Sequence, residues 1–342
     1  MKAIGLYKAL PIEDDKSLVE VDIAVGNPGK RDLLVKVKSI GVNPVDFKIR
    51  QRTEGKLNQP KILGWDVAGV VTEIGGETSL FKVGDEVYYA GDITRQGCNS
   101  EYHIVDERVV GLKPKSLTFD ESAAMPLTTI TAWEALFERL SIKKDPVANK
   151  GKSVLIIGGA GGVGSIATQI AKNVAGLNVI ATASRDTSKK WCLSMGASEI
   201  INHHNSFKKE FESKNISEVD YILCFNSMEL HIQNMADVIK PQGKICTIVE
   251  TPNNEPININ LFQGKSVGIL WELMFTRTLF QTEDMIEQNR LLNEVSVLLD
   301  KGVLVTTLTK SLKGLNAKNF KEAHKSLESG NTIGKIVVGE IS

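Results

Sequence analysis

The stretch VLIIGGAGGVGS, residues 154–165, limits what this chain can fold into more than any other. Its first four residues are apolar and three of them are β-branched, the pattern of a buried strand. It ends in G-x-G-x-x-G, here Gly159, Gly161 and Gly164. The continuation, SIATQIAKNVAG, sets Ile166, Ile170 and Val174 on one helical stripe and stops at Gly176. Strand, glycine loop and helix in that order are what a dinucleotide pyrophosphate requires. Gly159 is expected to allow the tight turn, Gly161 and Gly162 to let the backbone approach the phosphates, and Gly164 to let helix and strand pack closely. The first turn of the helix, around Val163, then offers unpaired N–H groups and partial positive charge to the anion.

Strand and helix signals alternate from there on. NVIATAS, SEIIN, VDYILCF, GKICTIV and KSVGILWEL read as strands, and KKWCLSMG and MELHIQNMADVIKPQG as helices. The βαβα order predicts an α/β doubly wound parallel sheet. Residues 1–125 read differently. DLLVKVKSIGV alternates Leu33, Val35 and Val37 against Leu34, Lys36 and Lys38, and DVAGVVTEIG, VGDEVYYAG and EYHIVDERVVGL follow as short strands bounded by glycines. Such strands predict a small barrel or sandwich. FDESAAMPLTTITAWEALFERL, at helical spacing, marks the passage between the two patterns. From about Glu283 the pattern gives a long helix, a strand, a shorter helix and a last strand, GKIVVGE.

A chain of 342 residues suits two domains. Lys plus Arg and Asp plus Glu are equal at 41 each, so net charge makes no case for nucleic acid or an anionic membrane. No stretch approaches the roughly 18 apolar residues that span a bilayer, and the N-terminus lacks the apolar run of a signal peptide. The cysteines (Cys98, Cys192, Cys224, Cys246) are scattered without a CxxC pair, which suits reduced thiols in a cytoplasmic protein rather than a disulfide framework or a zinc knot. GGVGS lacks the G-x-S-x-G pattern of hydrolases, and His203 and His204 have no partners at metal-ligand spacing.

The end of the second strand chooses the coenzyme. An NAD site places a carboxylate about 20 residues after the loop, on the ribose hydroxyls. Here that position is Ser184, followed by Arg185, with Lys189 and Lys190 nearby. Serine and arginine suit a 2′-phosphate, so NADPH is expected. The open alternatives are that Arg185 is a solvated turn residue, and that Asp186 matters if the strand ends later.

GVNPVDFK, ILGWDVAGVV, VGDEVYYAG, MPLTTITAWEAL, GGAGGVGS and IGKIVV, in this order, resemble the medium-chain dehydrogenase/reductase superfamily, and most of all its zinc-independent quinone oxidoreductase branch. The resemblance spans essentially the whole chain. It implies a GroES-like β-barrel catalytic domain from both chain ends (1–127 and 280–342), a Rossmann NADPH-binding domain between them (128–279), and an active site in the cleft. It also implies homodimers that pair edge strands, here SVGILWEL.

Zinc alcohol dehydrogenases of that superfamily hold their catalytic metal with two cysteines and a histidine. The matching positions here are Asn43, Trp65 and Leu127, whose side chains are not zinc ligands. The resemblance therefore implies hydride transfer from NADPH to a quinone or an α,β-unsaturated carbonyl without a metal. It places Asn43 near the nicotinamide, Asp46 as an orienting carboxylate, and Lys48 and Thr131 as further candidates for the chemistry. It places His203, Asn226, Val249, Asn331 and Lys335 around the cofactor, with Asn331 and Lys335 reaching the ribose or pyrophosphate. Two competing readings are an NADPH-binding structural or sensor protein of crystallin type with little turnover, and a zinc-dependent alcohol dehydrogenase, which the missing ligands disfavour.

Overall fold

The structure is a computed structural model and describes residues 1–251 and 256–341. The chain forms two compact units. The first combines Met1–Ile130 with Phe275–Ser342, and the second is Thr131–Met274.

The first unit opens with β1 (Lys2–Lys8), β2 (Val19–Asp22), β3 (Asp32–Val42), α1 (Pro44–Gln51), β4 (Lys56–Ile62), β5 (Val67–Ile74), β6 (Glu86–Tyr89), β7 (Tyr102–Asp106) and β8 (Val110–Leu112). Two helices follow, α2 (Phe119–Ala123) and α3 (Pro126–Trp133), and the unit boundary falls inside α3. β3 is the hub. One edge pairs with β5, while the other is shared by β7 along Asp32–Lys36 and by β16 (Lys335–Gly339) along Ile40–Val42. Both Leu33 and Leu34 are buried, where alternation alone predicted one face out, so this strand is covered on both faces at that point. Three strands were not legible in the sequence. β1, β2 and β4 form a separate sheet in the order β2-β1-β4. β4, KLNQPKI, is mostly polar and contains Pro60, which suits an edge strand only.

The second unit contains β9 (Ser153–Ile157), α4 (Gly162–Asn173), β10 (Asn178–Thr182), α5 (Asp186–Ser194), β11 (Glu199–Ile201), α6 (Phe207–Ser213), β12 (Val219–Cys224), α7 (Met228–Val238), β13 (Ile239–Thr247) and β14 (Gly268–Trp271). The strands are parallel in the order β11-β10-β9-β12-β13-β14, the doubly wound arrangement expected. Leu155, Ile157, Ile180, Ile222, Phe207 and Phe211 share one buried cluster beneath it. One boundary differs from the sequence reading. The helix expected to run through MELHIQNMADVIKPQG ends at Val238, and Ile239 is already extended (φ −76°, ψ 136°). Pro241 cannot continue a helix and biases the residue before it toward extended backbone, so β13 starts early.

The chain then returns to the first unit with α8 (Thr276–Phe280), α9 (Ile286–Asp300), β15 (Leu308–Lys313), α10 (Ala317–Glu328) and β16. α9 is tied down by Tyr88, whose hydroxyl donates to the Leu292 carbonyl at 2.6 Å, and by Asn289, whose amide donates to the Val110 carbonyl at 2.6 Å. β15 and β16 run parallel and complete the sheet around β3.

Candidate active site

β9 and β12 are neighbours at the point where the strand order reverses, the place where open α/β sheets bind ligands. The chain leaves β9 through Gly158 with φ +84°, so Gly158, not Gly159, makes the left-handed turn. Gly159 relieves crowding instead, since a Cβ there would lie 2.8 Å from the Ala181 Cβ and 3.2 Å from the Cys192 Sγ. A Cβ on Gly164 would lie 2.2 Å from the Gly158 carbonyl oxygen, so helix α4 packs against its own loop only with glycine there. Over Gly161 the nearest atom to a built Cβ is the Gly158 oxygen at 3.5 Å, which leaves the backbone open to a ligand. Gly162, Val163 and Gly164 begin α4, where N–H groups have no intrahelical carbonyl to bond. The loop is braced by the Gly158 N–H, which donates to Thr182 Oγ1 at 3.0 Å. Asn226 lies alongside, its Cβ 3.5 Å from where a Gly158 Cβ would sit. These residues fit a dinucleotide phosphate bridge.

At the same end of the sheet, Ser184 is half-buried and Arg185 is exposed just before α5. Asp186 is exposed, and its carboxylate pairs with Lys189 Nζ at 3.5 Å. His203 follows β11, its ring 4.2 Å from that of His204. Burial, with the nearby His204 and Arg185, lowers its pKa below the ordinary imidazole value. Val249 lies two residues beyond the end of β13, half-buried against the apolar cluster. Thr131 is buried within α3.

A second concentration of polar groups lies in the first unit, and it is buried. Asp66, in the segment immediately before β5, accepts three hydrogen bonds. Its Oδ2 takes one from Lys335 Nζ at 2.9 Å and one from Asn43 Nδ2 at 2.9 Å, and its Oδ1 takes one from the Leu127 N–H at 2.8 Å. Lys335 Nζ also donates to the Val42 carbonyl at 3.2 Å and to Asn43 Oδ1 at 2.5 Å. Its three protons are therefore all committed. Asp46, on α1, accepts from the Asn43 N–H at 2.8 Å through Oδ2, while its Oδ1 is buried without a partner.

Burial raises the pKa of both acids, and Lys335 opposes the shift in both. For Asp66 the partners decide the matter. An ammonium, an amide N–H and a backbone N–H all donate and none accepts, so this group is a carboxylate. Asp46 is pushed up to about 7, first by burial and further by the negative charge of Asp66.

The chain is similar to known proteins along both units. The alcohol dehydrogenase GroES-like domain matches residues 29–131, and the zinc-binding dehydrogenase family matches residues 195–338. A zinc-type alcohol dehydrogenase-like protein of Staphylococcus epidermidis is 42% identical over 99% of both chains. The chain belongs to the medium-chain dehydrogenase/reductase superfamily. A quinone oxidoreductase of Pongo abelii is 39% identical over 76% of this chain and 77% of its own. A solved structure from Rhizobium etli, provisionally described as a zinc-dependent alcohol dehydrogenase, superposes with a TM-score of 0.93 at 46% identity, covering 99% of this chain and 98% of that one. The chain is thus an oxidoreductase of this superfamily, with a GroES-like domain and a parallel-sheet nucleotide domain.

The zinc named for the Staphylococcus epidermidis and Rhizobium etli relatives does not fit the residues present here. Of the three positions that the resemblance aligns with zinc ligands, Asn43 and Leu127 both bond Asp66, and Trp65 precedes it in the chain. Asn43 gives both ends of its amide to Lys335 and Asp66, and Leu127 offers only a backbone N–H. Trp65 is buried, its Nε1 donating to the Asp92 carbonyl at 3.2 Å and its ring edge-on to Phe275 at 6.4 Å. A cationic ammonium stands among the oxygens that remain. His103 and Cys98, in the region of the superfamily's structural zinc loop, are also otherwise engaged. His103 Nδ1 is 3.1 Å from the Tyr89 hydroxyl and its Nε2 3.0 Å from the Gln96 carbonyl, and burial holds its pKa down at about 4. Burial pushes the Cys98 thiol well up. Among the described residues no group of three or more His, Cys, Asp or Glu side chains is arranged to hold a metal.

The remaining candidates divide. Lys48 lies on the exposed side of α1, and Asn331 is exposed beside Ser329. Lys335 is the correction. The resemblance implied that it reaches the ribose or pyrophosphate, but its ammonium is buried and bound to Val42, Asn43 and Asp66. A lysine opening an apolar strand, KIVVG, gave no sign of this, because its partners are more than 260 residues away in sequence. The role of Gly158 was legible in principle, as the first of two glycines after the strand.

Proposed function

We propose that this protein is an NADPH-dependent reductase of quinones or α,β-unsaturated carbonyls that works without zinc. The observation that carries this reading is the combination of an open glycine cradle with a metal position filled by side chains. When bound, NADPH supplies a hydride to the acceptor. Without a Lewis-acid metal, oxidation of a simple alcohol lacks stabilisation for its alkoxide, whereas a conjugated acceptor spreads its developing charge and needs only hydrogen-bond donors. The quinone oxidoreductase similarity agrees with that acceptor class.

On this reading Gly161, Gly162, Val163 and Gly164 hold the pyrophosphate, and Asn226 flanks the loop. Ser184 and Arg185 take the 2′-phosphate with help from Lys189 and His203. The absence of a carboxylate at the end of β10 favours the phosphorylated coenzyme, and Arg185 lies close enough to His203 to depress its basicity. Thr131 and Val249 bound the nicotinamide, and Asn43 and Lys48 are the candidates for the acceptor's oxygen. Asn331 remains a candidate at the ribose. Four buried, unpaired cysteines suit a cytoplasmic location, and no helix among the described residues is long and apolar enough to cross a membrane.

The decisive measurement follows NADPH and NADH absorbance with a panel of quinones and enones, for the parent and for Arg185→Ala. Turnover is expected with NADPH. The variant should lose NADPH affinity at least about tenfold, equivalent to 1.4 kcal/mol, and keep its NADH affinity. Tight NADPH binding with no turnover on any acceptor would establish the binding-protein reading instead.

A further inference from the structure

The Lys335 ammonium sits among three oxygens: the Val42 carbonyl at 3.2 Å, Asn43 Oδ1 at 2.5 Å and Asp66 Oδ2 at 2.9 Å. These contacts come from β3, from the residue just before α1, and from the segment immediately before β5. The lysine itself arrives from β16, near the other end of the chain. Asp66 is the one carboxylate in contact with it, and among the described residues no group of three or more His, Cys, Asp or Glu side chains could hold a metal there. We propose that Lys335 is the resident cation of this site, a positioning residue whose charge does for the hydride-transfer reaction what a bound metal does in zinc-dependent members. The proposal rests on the reductase reading above.

Two consequences of the geometry support it. The first concerns Asn43. Lysine can only donate and an aspartate carboxylate can only accept, so Lys335 must face the amide oxygen and Asp66 the amide nitrogen. The pair therefore sets which way the amide points. One Nδ2 proton is committed to Asp66, and the other is held only by a long contact of 3.5 Å to the Gly41 carbonyl. That second proton has the weakest partner at the site, and on this proposal it is the donor offered to an acceptor's oxygen.

The second consequence concerns charge. A cation held in a water-excluded interior acts over several ångström with much less screening than in water, and it needs no reorganisation during the reaction. The ammonium is held on every side, so its position is fixed before any acceptor binds.

The test uses the full-length protein and three variants: Lys335→Arg, Lys335→Met, and Lys335→Met combined with Asp66→Asn. Thermal unfolding, NADPH affinity by fluorescence titration, and kcat for quinone reduction are measured for each. Lys335→Met leaves Asp66 charged and unpaired, so it is expected to lose stability as well as turnover. The double variant removes both charges and should regain most of the melting temperature. Its kcat should stay down about 100-fold, the range for losing one fixed electrostatic group, with NADPH affinity within about threefold of the parent. Lys335→Arg keeps the charge in a larger, planar head group, so it should retain more kcat than either Lys335→Met variant.

A double variant whose kcat returns to within about threefold of the parent would overturn the proposal and leave the pair a structural one. So would a fall in NADPH affinity of more than about tenfold at unchanged kcat, which would return Lys335 to a cofactor-holding role. A parent protein that reduces no acceptor would overturn the reductase reading itself, and this proposal with it. The two failures are distinguished by the parent measurement alone.

Discussion

Asp46 shows how one buried acid can govern the behaviour of a site. It shares the interior with Asp66 and Lys335, two carboxyl groups and one ammonium, and only Asp66 has donors enough to remain charged. Asp46 keeps one oxygen without a partner and titrates near 7 rather than at its ordinary value of 3.8. Between those two values the folded chain binds more protons than the unfolded chain, so stability falls as pH rises through the interval. The full cost, about 4 kcal/mol from the size of the shift, is present above pH 7. Asp46→Asn keeps an oxygen to accept the Asn43 N–H and cannot ionise. It should therefore unfold at higher temperature than the parent at pH 8, with the difference vanishing near pH 4. Melting curves at the two pH values check this, and an unchanged or larger difference at pH 4 would contradict the assignment. The residue types at this site were visible in the sequence, as Asn43, Asp46 and Asp66. Their partnership was not, because Lys335 reaches them only through the pairing of β16 with β3.

The βα element that begins at β9 was legible almost entirely, because glycine has few substitutes at a crowded backbone. Its glycines separate by function in a way that predicts different outcomes for the same change. Gly164→Ala drives a methyl group to within 2.2 Å of a carbonyl oxygen, so helix and loop must part. A loss of about 2 kcal/mol or more of stability is expected, together with loss of NADPH binding. Gly161→Ala meets only one atom at 3.5 Å. It should leave stability within about 0.5 kcal/mol of the parent while weakening NADPH binding, since the methyl group occupies the space the pyrophosphate approaches through. Calorimetry and fluorescence titration on the two variants distinguish these outcomes. Elements without such a constraint were less legible. β1 pairs on both edges and carries Gly5 within it, and β4 is polar and contains a proline, so neither displays the alternation from which a strand is read.

At the scale of the whole molecule, β11 and β14 are the edge strands of the parallel sheet among the described residues. Among the described residues β14 pairs only with β13, and Trp271 and Leu273 at that edge are 55% and 52% exposed. A parallel-sheet edge with large apolar side chains invites a partner strand. The homodimer that the family resemblance implies would pair β14 with its copy. Trp271→Glu is expected to shift the protein from dimer to monomer in sedimentation equilibrium, and a parent that sediments as a monomer would exclude this assembly.

Consecutive residues were enough to specify the nucleotide-binding unit, its doubly wound sheet and its glycine loop. Those features rest on local periodicity and on backbone crowding that only glycine relieves, and both are written in short stretches of chain. What stands at the position of the metal is settled by the folded chain and by nothing shorter. Charges and hydrogen-bond partners separated by hundreds of residues meet only when both chain ends close the same sheet, and no local pattern encodes that Lys335 faces Asp66 until β16 lies beside β3.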